Sequence, residues 1–215
     1  MKEFTIDYDF VVIGAGLSGI CAAITAARQG MKTALIQDRS VPGGNASKEI
    51  RVPLVGARWT NFLYARETGI IEEILLNNLY HNSTWNFEGW NLQMVSALKQ
   101  EPSLDVFYNT PVTEISMENN KLQSVSAWTI GTELKRTFRA PYFCDSTGDG
   151  TIAVMAGASF MWGEESKSDY QEAYASNNPE NRVMGYSIHF HTIDSGKSAP
   201  FVKPDWVTMD LERED

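Results

Sequence analysis

Cysteine is scarce in this chain, and positive charge is neither abundant nor clustered. Only two cysteines occur among 215 residues, Cys21 and Cys144, too few for the disulfide framework of a small secreted domain. No Cys-x-x-Cys pair is present, so a disulfide reductase is not indicated, and a reducing, cytoplasmic compartment is expected. Acidic residues outnumber basic ones by 27 to 18, which argues against a nucleic-acid partner.

The chain also lacks a membrane or secretion signal. Phe10 to Ala27 is free of charge over 18 residues, but it begins with β-branched residues, breaks into glycines and continues rich in alanine. Glu3, Asp7 and Asp9 occupy the flank where a signal peptide carries positive charge. Apolar residues make up 43% and charged residues 21%, which fits an ordered globular chain with no membrane partner.

A strand, helix and strand follow one another near the N-terminus. Asp9–Ile13 is a short apolar run that ends at glycine, as in a buried parallel strand. From Leu17 the apolar residues recur with helical spacing, and Gly30 stands where a helix would stop. Thr33–Ile36 is again short and apolar, so the segment predicts a parallel βαβ unit.

The rest of the chain predicts an α/β fold in which an antiparallel β-meander is inserted into a parallel sheet. Helical spacing recurs twice before residue 102, and alternating strands with turns then lead to another buried strand and a short alanine-rich helix. The predicted helices lie around 70–75 and 90–98, the strands at 104–108, 112–117, 122–130, 133–139, 142–144 and 186–192, and the short helix at 152–156.

Three glycines form a G-x-G-x-x-G motif, Gly14-Ala15-Gly16-Leu17-Ser18-Gly19, between the first strand and the helix. The first glycine permits the turn, the second admits a pyrophosphate against the backbone, and the third lets the helix pack closely. A structural turn alone is the alternative. Because strand, motif, helix and second strand agree in order and length, the pattern favours dinucleotide binding.

The residue that would bind the ribose is not an acid in this chain. A carboxylate is expected at the end of the second strand, and that position is Gln37. Glutamine can bond a hydroxyl but carries no charge, and Asp38 lies one residue further on. The alternative is that Asp38 and Arg39 only solvate a loop.

Two further motifs give the chain a family resemblance. Residues 43–51 read Gly-Gly-Asn-Ala-Ser-Lys-Glu-Ile-Arg, and residues 145–150 read Asp-Ser-Thr-Gly-Asp-Gly. With the first glycine motif, they resemble the FAD-dependent oxidoreductase family of flavoproteins with two dinucleotide-binding domains, whose members read GxGxxG, GGNxSxEIR and DxTGDG in that order. The resemblance implies FAD as cofactor and the three-layer FAD/NAD(P)-binding fold.

The resemblance also assigns roles to residues. It implies pyrophosphate contacts at the first glycine motif, adenosine contacts at the end of the second strand and through the backbone of Val112, a flavin-side loop, and a Thr-Gly-Asp turn closing over the cofactor. The implied cofactor-binding residues are Gly14, Ala15, Gly16, Ser18, Gly19, Gln37, Asp38, Arg39, Gly43, Gly44, Asn45, Ser47, Val112, Thr147, Gly148 and Asp149.

Members of the family continue beyond the point where this chain stops, with sequence that returns to the first domain. We therefore expect an FAD-binding domain over residues 1–158 and the incomplete start of a substrate or cap domain over 159–215, an N-terminal portion of a longer protein. A natural short form with an open flavin pocket is the alternative.

Catalytic candidates are few, since a flavin performs the hydride chemistry itself. Arg51 and Glu49 could steer an anionic substrate or form only a surface ion pair. His189 and His191 alternate along a strand and share a face, but no third ligand accompanies them, so no metal is expected. A substrate-contacting acid or base and ordinary strand histidines remain open for this pair.

The sequence thus predicts an FAD-dependent oxidoreductase that transfers a hydride between a small organic substrate and flavin. An NAD-type dehydrogenase is disfavoured, because the glycine doublet and the Thr-Gly-Asp turn have no role there. A non-catalytic nucleotide-fold fragment or interaction module is the other alternative. Nothing in the residue pattern indicates the substrate or the oligomeric state.

Overall fold

The structure divides the chain into two units, Met1–Met184 and Gly185–Asp215. The predicted boundary after residue 158 remains a prediction. The computed structural model describes residues 2–55, 65–181, 183, 193–198, 200, 202 and 204–206.

The described part of the first unit is a mixed α/β structure, as predicted. In chain order its elements are β1 Lys2–Asp7, β2 Phe10–Ile13, α1 Leu17–Arg28, β3 Thr33–Ile36, α2 Ile70–His81, α3 Phe87–Lys99, β4 Leu104–Phe107, β5 Val112–Glu118, β6 Lys121–Thr129, β7 Leu134–Arg139, β8 Tyr142–Asp145, α4 Thr151–Met155 and α5 Lys167–Tyr170.

A parallel sheet forms the middle layer, in the order β4-β3-β2-β8. Val11 and Val12 are neighbours on β2, and both have an exposed fraction of 0%. Short β-branched runs such as this one suit a strand that is covered on both faces. The predicted parallel sheet is confirmed, and Thr33–Ile36 occupies the predicted residues.

Helices cover one face of the parallel sheet. Val12 and Leu35 pack on that side against apolar residues of α1, α2 and α3, including Ile24, Ile74 and Met94. Helix α1 ends as predicted at a glycine: Gly30 has φ 89°, and the N–H of the next residue, Met31, donates to the carbonyl of Ala26 at 3.1 Å. The N–H of Gly30 also donates to the carbonyl of Ala27 at 3.0 Å, and these two bonds with the left-handed glycine form a Schellman-type stop.

A second sheet covers the other face of the parallel sheet. Its order is β1-β7-β6-β5, with antiparallel pairing of β5 with β6 and of β6 with β7, which confirms the inserted meander. Asn119 and Asn120 both have positive φ, 49° and 60°, as a tight hairpin turn requires. Ile13 and Phe138 pack between the sheets, so the molecule has three layers: helices, parallel sheet and mixed sheet.

Strand β1 was not predicted from the sequence. Lys2–Asp7 pairs parallel with β7, at the edge of the mixed sheet. Most of its residues are exposed, and its apolar residues are limited to Phe4 and Ile6. So short an alternation is a weak local signal, and the partner strand lies more than a hundred residues away in the sequence.

Two predictions concern features other than these elements. The predicted strand 186–192, with His189 and His191, lies outside the described residues. Among the described residues, no helix is long and apolar enough to cross a membrane.

Candidate functional site

The carboxyl ends of β2, β3 and β8 open into a groove of about 810 Å³. In an open parallel sheet such strand ends are the usual place for a ligand. The loops that follow these three strands form walls of the groove. The glycine doublet and the segment before β5 complete the lining. The lining includes residues 13–14, 16–18, 36–39, 43–46, 50, 52–54, 110–112, 146–149 and 151–152.

The three glycines of the first motif have different surroundings. A Cβ on Gly14 would lie 2.2 Å from the carbonyl oxygen of Ser146, and one on Gly19 would lie 1.9 Å from the carbonyl oxygen of Gly14. A Cβ on Gly16 would meet nothing within 4 Å. Gly14 and Gly19 therefore serve packing within the protein, and Gly16 leaves room for something outside it.

Helix α1 begins at Leu17 beside this space, and among the described residues no side chain accepts a hydrogen bond from its first turn. The first N–H groups of a helix lack partners within the helix and carry partial positive charge. An uncapped start that faces a groove is a ready anion-binding site. No acidic side chain lies in this turn to compete with a bound anion.

The glycine doublet lies directly against the first motif. The N–H of Gly43 donates to the carbonyl of Ala15 at 2.7 Å, and Gly16 and Gly43 form a parallel β-bridge. A Cβ on Gly44 would come within 3.2 Å of the Cα of Gly16. These contacts between the two loops are all main-chain contacts. The glycine doublet therefore borders the open space at Gly16.

The loop after the doublet is fixed from beneath. The indole N–H of Trp90, on α3, donates to the carbonyl of Ala46 at 2.9 Å. Ser47 is fully buried, and its hydroxyl accepts from the N–H of Ile50 at 3.3 Å. Trp90 is thus a positioning residue that sequence reasoning did not identify. No local pattern marks Trp90 as the partner of Ala46, because the two residues lie 44 positions apart.

The third loop is organised by Asp145, at the end of β8. Its carboxylate accepts from the N–H of Thr147 at 3.0 Å and its hydroxyl at 2.7 Å, and from the N–H of Ala153 at 2.8 Å. Burial raises the pKa of Asp145, but the hydrogen bonds from Thr147, Ala153 and Ile152 outweigh it and hold the pKa below its usual value. The carboxylate therefore locks the Thr-Gly-Asp turn to the first turn of α4.

Comparison with known protein families identifies the family of this chain. The family model described as "FAD dependent oxidoreductase" matches residues 9–212. The chain belongs to this family. The family indicates FAD as the cofactor.

Curated relatives match over short segments. A soluble pyridine nucleotide transhydrogenase from Hahella chejuensis is 48% identical over 46 residues, which are 21% of this chain and 10% of the relative. A dihydrolipoyl dehydrogenase from Chlamydia muridarum is 61% identical over 36 residues, 17% of this chain and 8% of the relative. The matched segments span a tenth or less of either relative.

Solved structures match over more of the chain at low identity. A flavoprotein/dehydrogenase from Cytophaga hutchinsonii is 18% identical, with a TM-score of 0.49, over 71% of this chain and 42% of that one. A myxobacterial FAD-dependent chondrochloren halogenase is 15% identical, with a TM-score of 0.47, over 66% and 37%. This chain therefore spans less than half of either structure.

The groove of this FAD dependent oxidoreductase family member fits a dinucleotide. Its volume of about 810 Å³ lies within the range of small-molecule sites, roughly 300–1,000 Å³. The open space at Gly16 and the uncapped start of α1 supply the room and the donors that a pyrophosphate needs. Of the predicted cofactor-binding residues, all line the groove except Ala15, Gly19 and Ser47, which are buried beneath it.

Other lining residues were not among the predicted ones. Thr110 and Pro111 follow β4, and Ile50, Val52 and Leu54 follow the glycine doublet. The first pair could have been found, because the end of every parallel strand in one sheet reaches the same edge. Ile50 belongs to the motif over residues 43–51 but was assigned no cofactor contact, and Val52 and Leu54 carry no motif and join the groove only through the path of their loop.

Of the catalytic candidates Arg51, His189 and His191, the structure describes Arg51 alone. Arg51 does not line the groove: its guanidinium donates to the carbonyl of Lys48 at 3.0 Å and to Glu88 at 3.4 Å. Its φ of 64° is unusual for a residue other than glycine. His189 and His191 lie outside the described residues. Among the described residues, no three His, Cys, Asp or Glu side chains converge to hold a metal.

Proposed function

We propose that this chain forms the FAD-binding part of an oxidoreductase that transfers a hydride between a small organic substrate and the flavin. The observation that carries the proposal is the groove in which Gly16 leaves open space between two touching glycine loops. Family membership supports the flavin. The excess of acidic residues and the scarcity of cysteine support a cytoplasmic setting without nucleic acid.

The pyrophosphate is proposed to lie at Gly14, Gly16 and Ser18. Support comes from the uncapped first turn of α1, whose N–H groups can donate to phosphate oxygens. A phosphate group can exchange water for the N–H donors of this loop without any rearrangement of the loop, because Gly14 and Gly19 are already packed against their neighbours. The loop would bind as a rigid cradle.

The loops that line the groove differ in polarity, which supports an orientation for the cofactor. Asp38, Arg39 and the backbone before and at Val112 lie at the proposed adenosine end. Gly44 and Asn45 lead from the pyrophosphate towards the proposed flavin end, which Ile50 and its apolar neighbours line. Apolar walls exclude water from a hydride-transfer site, and the amide of Asn45 can bond the cofactor.

When bound, FAD supplies the ring that accepts or gives the hydride, and the protein supplies binding and orientation. The role proposed for Asp145 is to hold the Thr147 turn against the groove through its three hydrogen bonds. Trp90 holds the carbonyl of Ala46 and thereby fixes the loop that carries Asn45. We assign no step to Arg51, because its guanidinium is bound to Lys48 and Glu88.

Gly16→Val tests the proposal. The φ of Gly16 is −64°, so any residue can adopt the backbone, and a Cβ there meets no protein atom within 4 Å. We expect the free energy of unfolding of the apoprotein to change by about 1 kcal/mol or less. FAD affinity should fall by about 100-fold or more, since the side chain fills the phosphate space. Flavin absorbance of the purified protein and thermal unfolding measure the two effects.

Gly30→Ala is the matched control. Gly30 lies at the other end of α1, outside the groove, and its φ of 89° makes alanine cost about 1 kcal/mol of stability. This variant should unfold at a slightly lower temperature and keep its flavin. Undiminished flavin in Gly16→Val would overturn the site.

Reduction of the bound flavin by candidate substrates separates the enzyme from a non-catalytic module. An oxidoreductase bleaches the visible flavin band under anaerobic conditions when its substrate is added. A protein that retains FAD and is not reduced by any organic hydride donor in a broad panel would favour the non-catalytic alternative.

A further inference from the structure

Gln37 stands where an acid was expected for the ribose, and its amide is already bonded on both sides. The side chain has an exposed fraction of 4%. Its Oε1 accepts from the N–H of Ala15 at 2.7 Å, and its Nε2 donates to the carbonyl of Val41 at 3.3 Å. Both partners are main-chain groups, one from each of two different loops.

These bonds join the two glycine loops to the end of β3. Ala15 is fully buried, and its carbonyl accepts from the N–H of Gly43 at 2.7 Å. Ala15 therefore bonds through its N–H to Gln37 and through its carbonyl to the glycine doublet. Val41, two residues before Gly43, bonds to the other side of the same amide. The result is a closed set of contacts around Gly16.

The backbone of Gln37 is fixed as well. Its N–H donates to the carbonyl of Phe107 at 2.8 Å, and its carbonyl accepts from the N–H of Thr110 at 2.8 Å. The residue is thus anchored between β3 and the segment after β4. The amide cannot turn towards a ligand without breaking two buried hydrogen bonds, each of which leaves a polar group without a partner.

An amide suits this position and a carboxylate does not. The N–H of Ala15 needs an acceptor and the carbonyl of Val41 needs a donor, and only a side chain with both can serve them together. A carboxylate would serve Ala15 but would set a negative oxygen against the carbonyl of Val41 in a buried site. Burying such a charge against an acceptor is costly.

Asp38, the next residue, is available for the ribose. It is exposed and lines the groove, and within the described ranges no hydrogen bond or ion pair engages its carboxylate. Arg39 is directed elsewhere, 3.6 Å from the carboxylate of Glu49. A free carboxylate that faces the groove can accept hydrogen bonds from two sugar hydroxyls.

We propose that Gln37 is a positioning residue that fixes the spacing of the two glycine loops, and that Asp38, in place of Gln37, bonds the ribose hydroxyls of the adenosine. The proposal rests on the assignment of the groove to FAD. If that assignment fails, Gly16→Val keeps its flavin. If only the present proposal fails, Gly16→Val loses flavin while the variants below behave otherwise than stated.

Gln37→Glu in the full chain tests the positioning role, with thermal unfolding of the apoprotein and FAD titration as readouts. At about pH 8 we expect a Tm lower by about 5 °C or more and an FAD affinity reduced about tenfold. A protonated carboxyl has a donor and an acceptor like the amide, and burial raises its pKa above the usual value of about 4.3. Both deficits should therefore shrink as the pH falls towards about 5.5.

Asp38→Asn is the companion variant. It should leave the apoprotein Tm unchanged at both pH values and reduce FAD affinity about tenfold, because a charged acceptor at the sugar is lost. Failure of Gln37→Glu to fold at about pH 8, together with this loss in Asp38→Asn, supports the proposal. A Gln37→Glu protein with unchanged Tm and tighter FAD binding, or an Asp38→Asn protein with unchanged FAD binding, would overturn it.

Discussion

The parallel sheet and the mixed sheet differ in how their strands meet solvent. On β2, consecutive residues Val11 and Val12 are both 0% exposed. On β6, Val125 is 0% exposed while Trp128 is 47% exposed. The central strands β2 and β3 are covered on both faces, so a ligand reaches them at the ends of the strands. The mixed sheet has a free face but presents no comparable convergence of strand ends.

This difference explains why glycines occur at particular positions in the two sheets. Loops at the parallel strand ends approach one another through main chain, and Gly14, Gly19 and Gly44 stand at those approaches. In the mixed sheet, Gly131 turns a hairpin with open space around it. A glycine at the strand ends is needed for space and a glycine in the hairpin only for its backbone conformation, and substitution can distinguish the two needs.

The largest effect is expected for Gly14→Ala. A Cβ there would lie 2.2 Å from the main-chain oxygen of Ser146, and the φ of Gly14 is 98°. The main-chain atoms of Ser146 and Thr147 cannot move away without separating β2 from β8. We therefore expect the free energy of unfolding to fall by about 4 kcal/mol or more, or no soluble protein to form. Chemical denaturation of the soluble fraction measures it.

Gly131→Ala sharpens the same comparison. Its φ of 79° strains alanine, but nothing lies within 4 Å of the new Cβ. The cost should be about 1 kcal/mol. Equal losses in Gly14→Ala and Gly131→Ala would mean that the close approach of the strand-end loops contributes nothing beyond backbone strain.

The two sheets also differed in how well the sequence predicted them. Strand β3 and helix α1 were predicted closely, because burial on both faces leaves an unbroken apolar run and one-sided burial leaves a helical period. The hairpin at Asn119–Asn120 was predicted from its turn residues. Strand β1 was missed, because an exposed edge strand needs no apolar residues and its pairing with β7 spans most of the chain.

At the site, the first glycine motif and the family resemblance predicted which loops meet but not how they are held. The glycine motifs identified the groove because each is a local requirement of turn or space. The bond from Ala15 to Gln37 joins residues 22 apart, and the bond from Trp90 to Ala46 joins residues 44 apart. No local pattern marks such partners. The identity of Gln37, an exception to the expected acid, was a signal for the first of these bonds and gave none for the second.

Alanine substitutions along neighbouring positions give an intermediate effect. Val11→Ala and Val12→Ala should each cost about 2 kcal/mol, because one side chain packs towards the mixed sheet and the other towards the helices. On β6, Val125→Ala should cost a similar amount, whereas Gln123→Ala, on an exposed residue, should change stability by less than about 0.5 kcal/mol. Urea denaturation of the four variants measures these costs, and a near-neutral Val11 or Val12 variant would contradict two-sided burial.

The smallest effect compares carboxylates at the ends of two strands. Asp145 ends β8 in the parallel sheet, and Asp7 ends β1 in the mixed sheet. The N–H of Ala153 donates to one carboxylate oxygen of Asp145, and Thr147 donates to the other. In Asp145→Asn one of these oxygens becomes an NH₂ group, which cannot accept, so the bond to Ala153 or the bonds to Thr147 are lost. We expect a loss of about 1 kcal/mol at neutral pH. Asp7→Asn should produce no measurable change, because its ion pair with Arg139 is exposed and screened.

The pH dependence tests whether the charge of Asp145 contributes to stability. The folded pKa of Asp145 lies below its usual value of about 3.9, so at intermediate acidity the unfolded chain binds more protons than the folded one. The stability contributed by the carboxylate is present above that value and is lost as the pH falls through the folded pKa. The gap between the original protein and Asp145→Asn should therefore narrow below about pH 4. A gap that stays constant with pH would show that the loss comes from the geometry of the amide and not from the charge of the carboxylate.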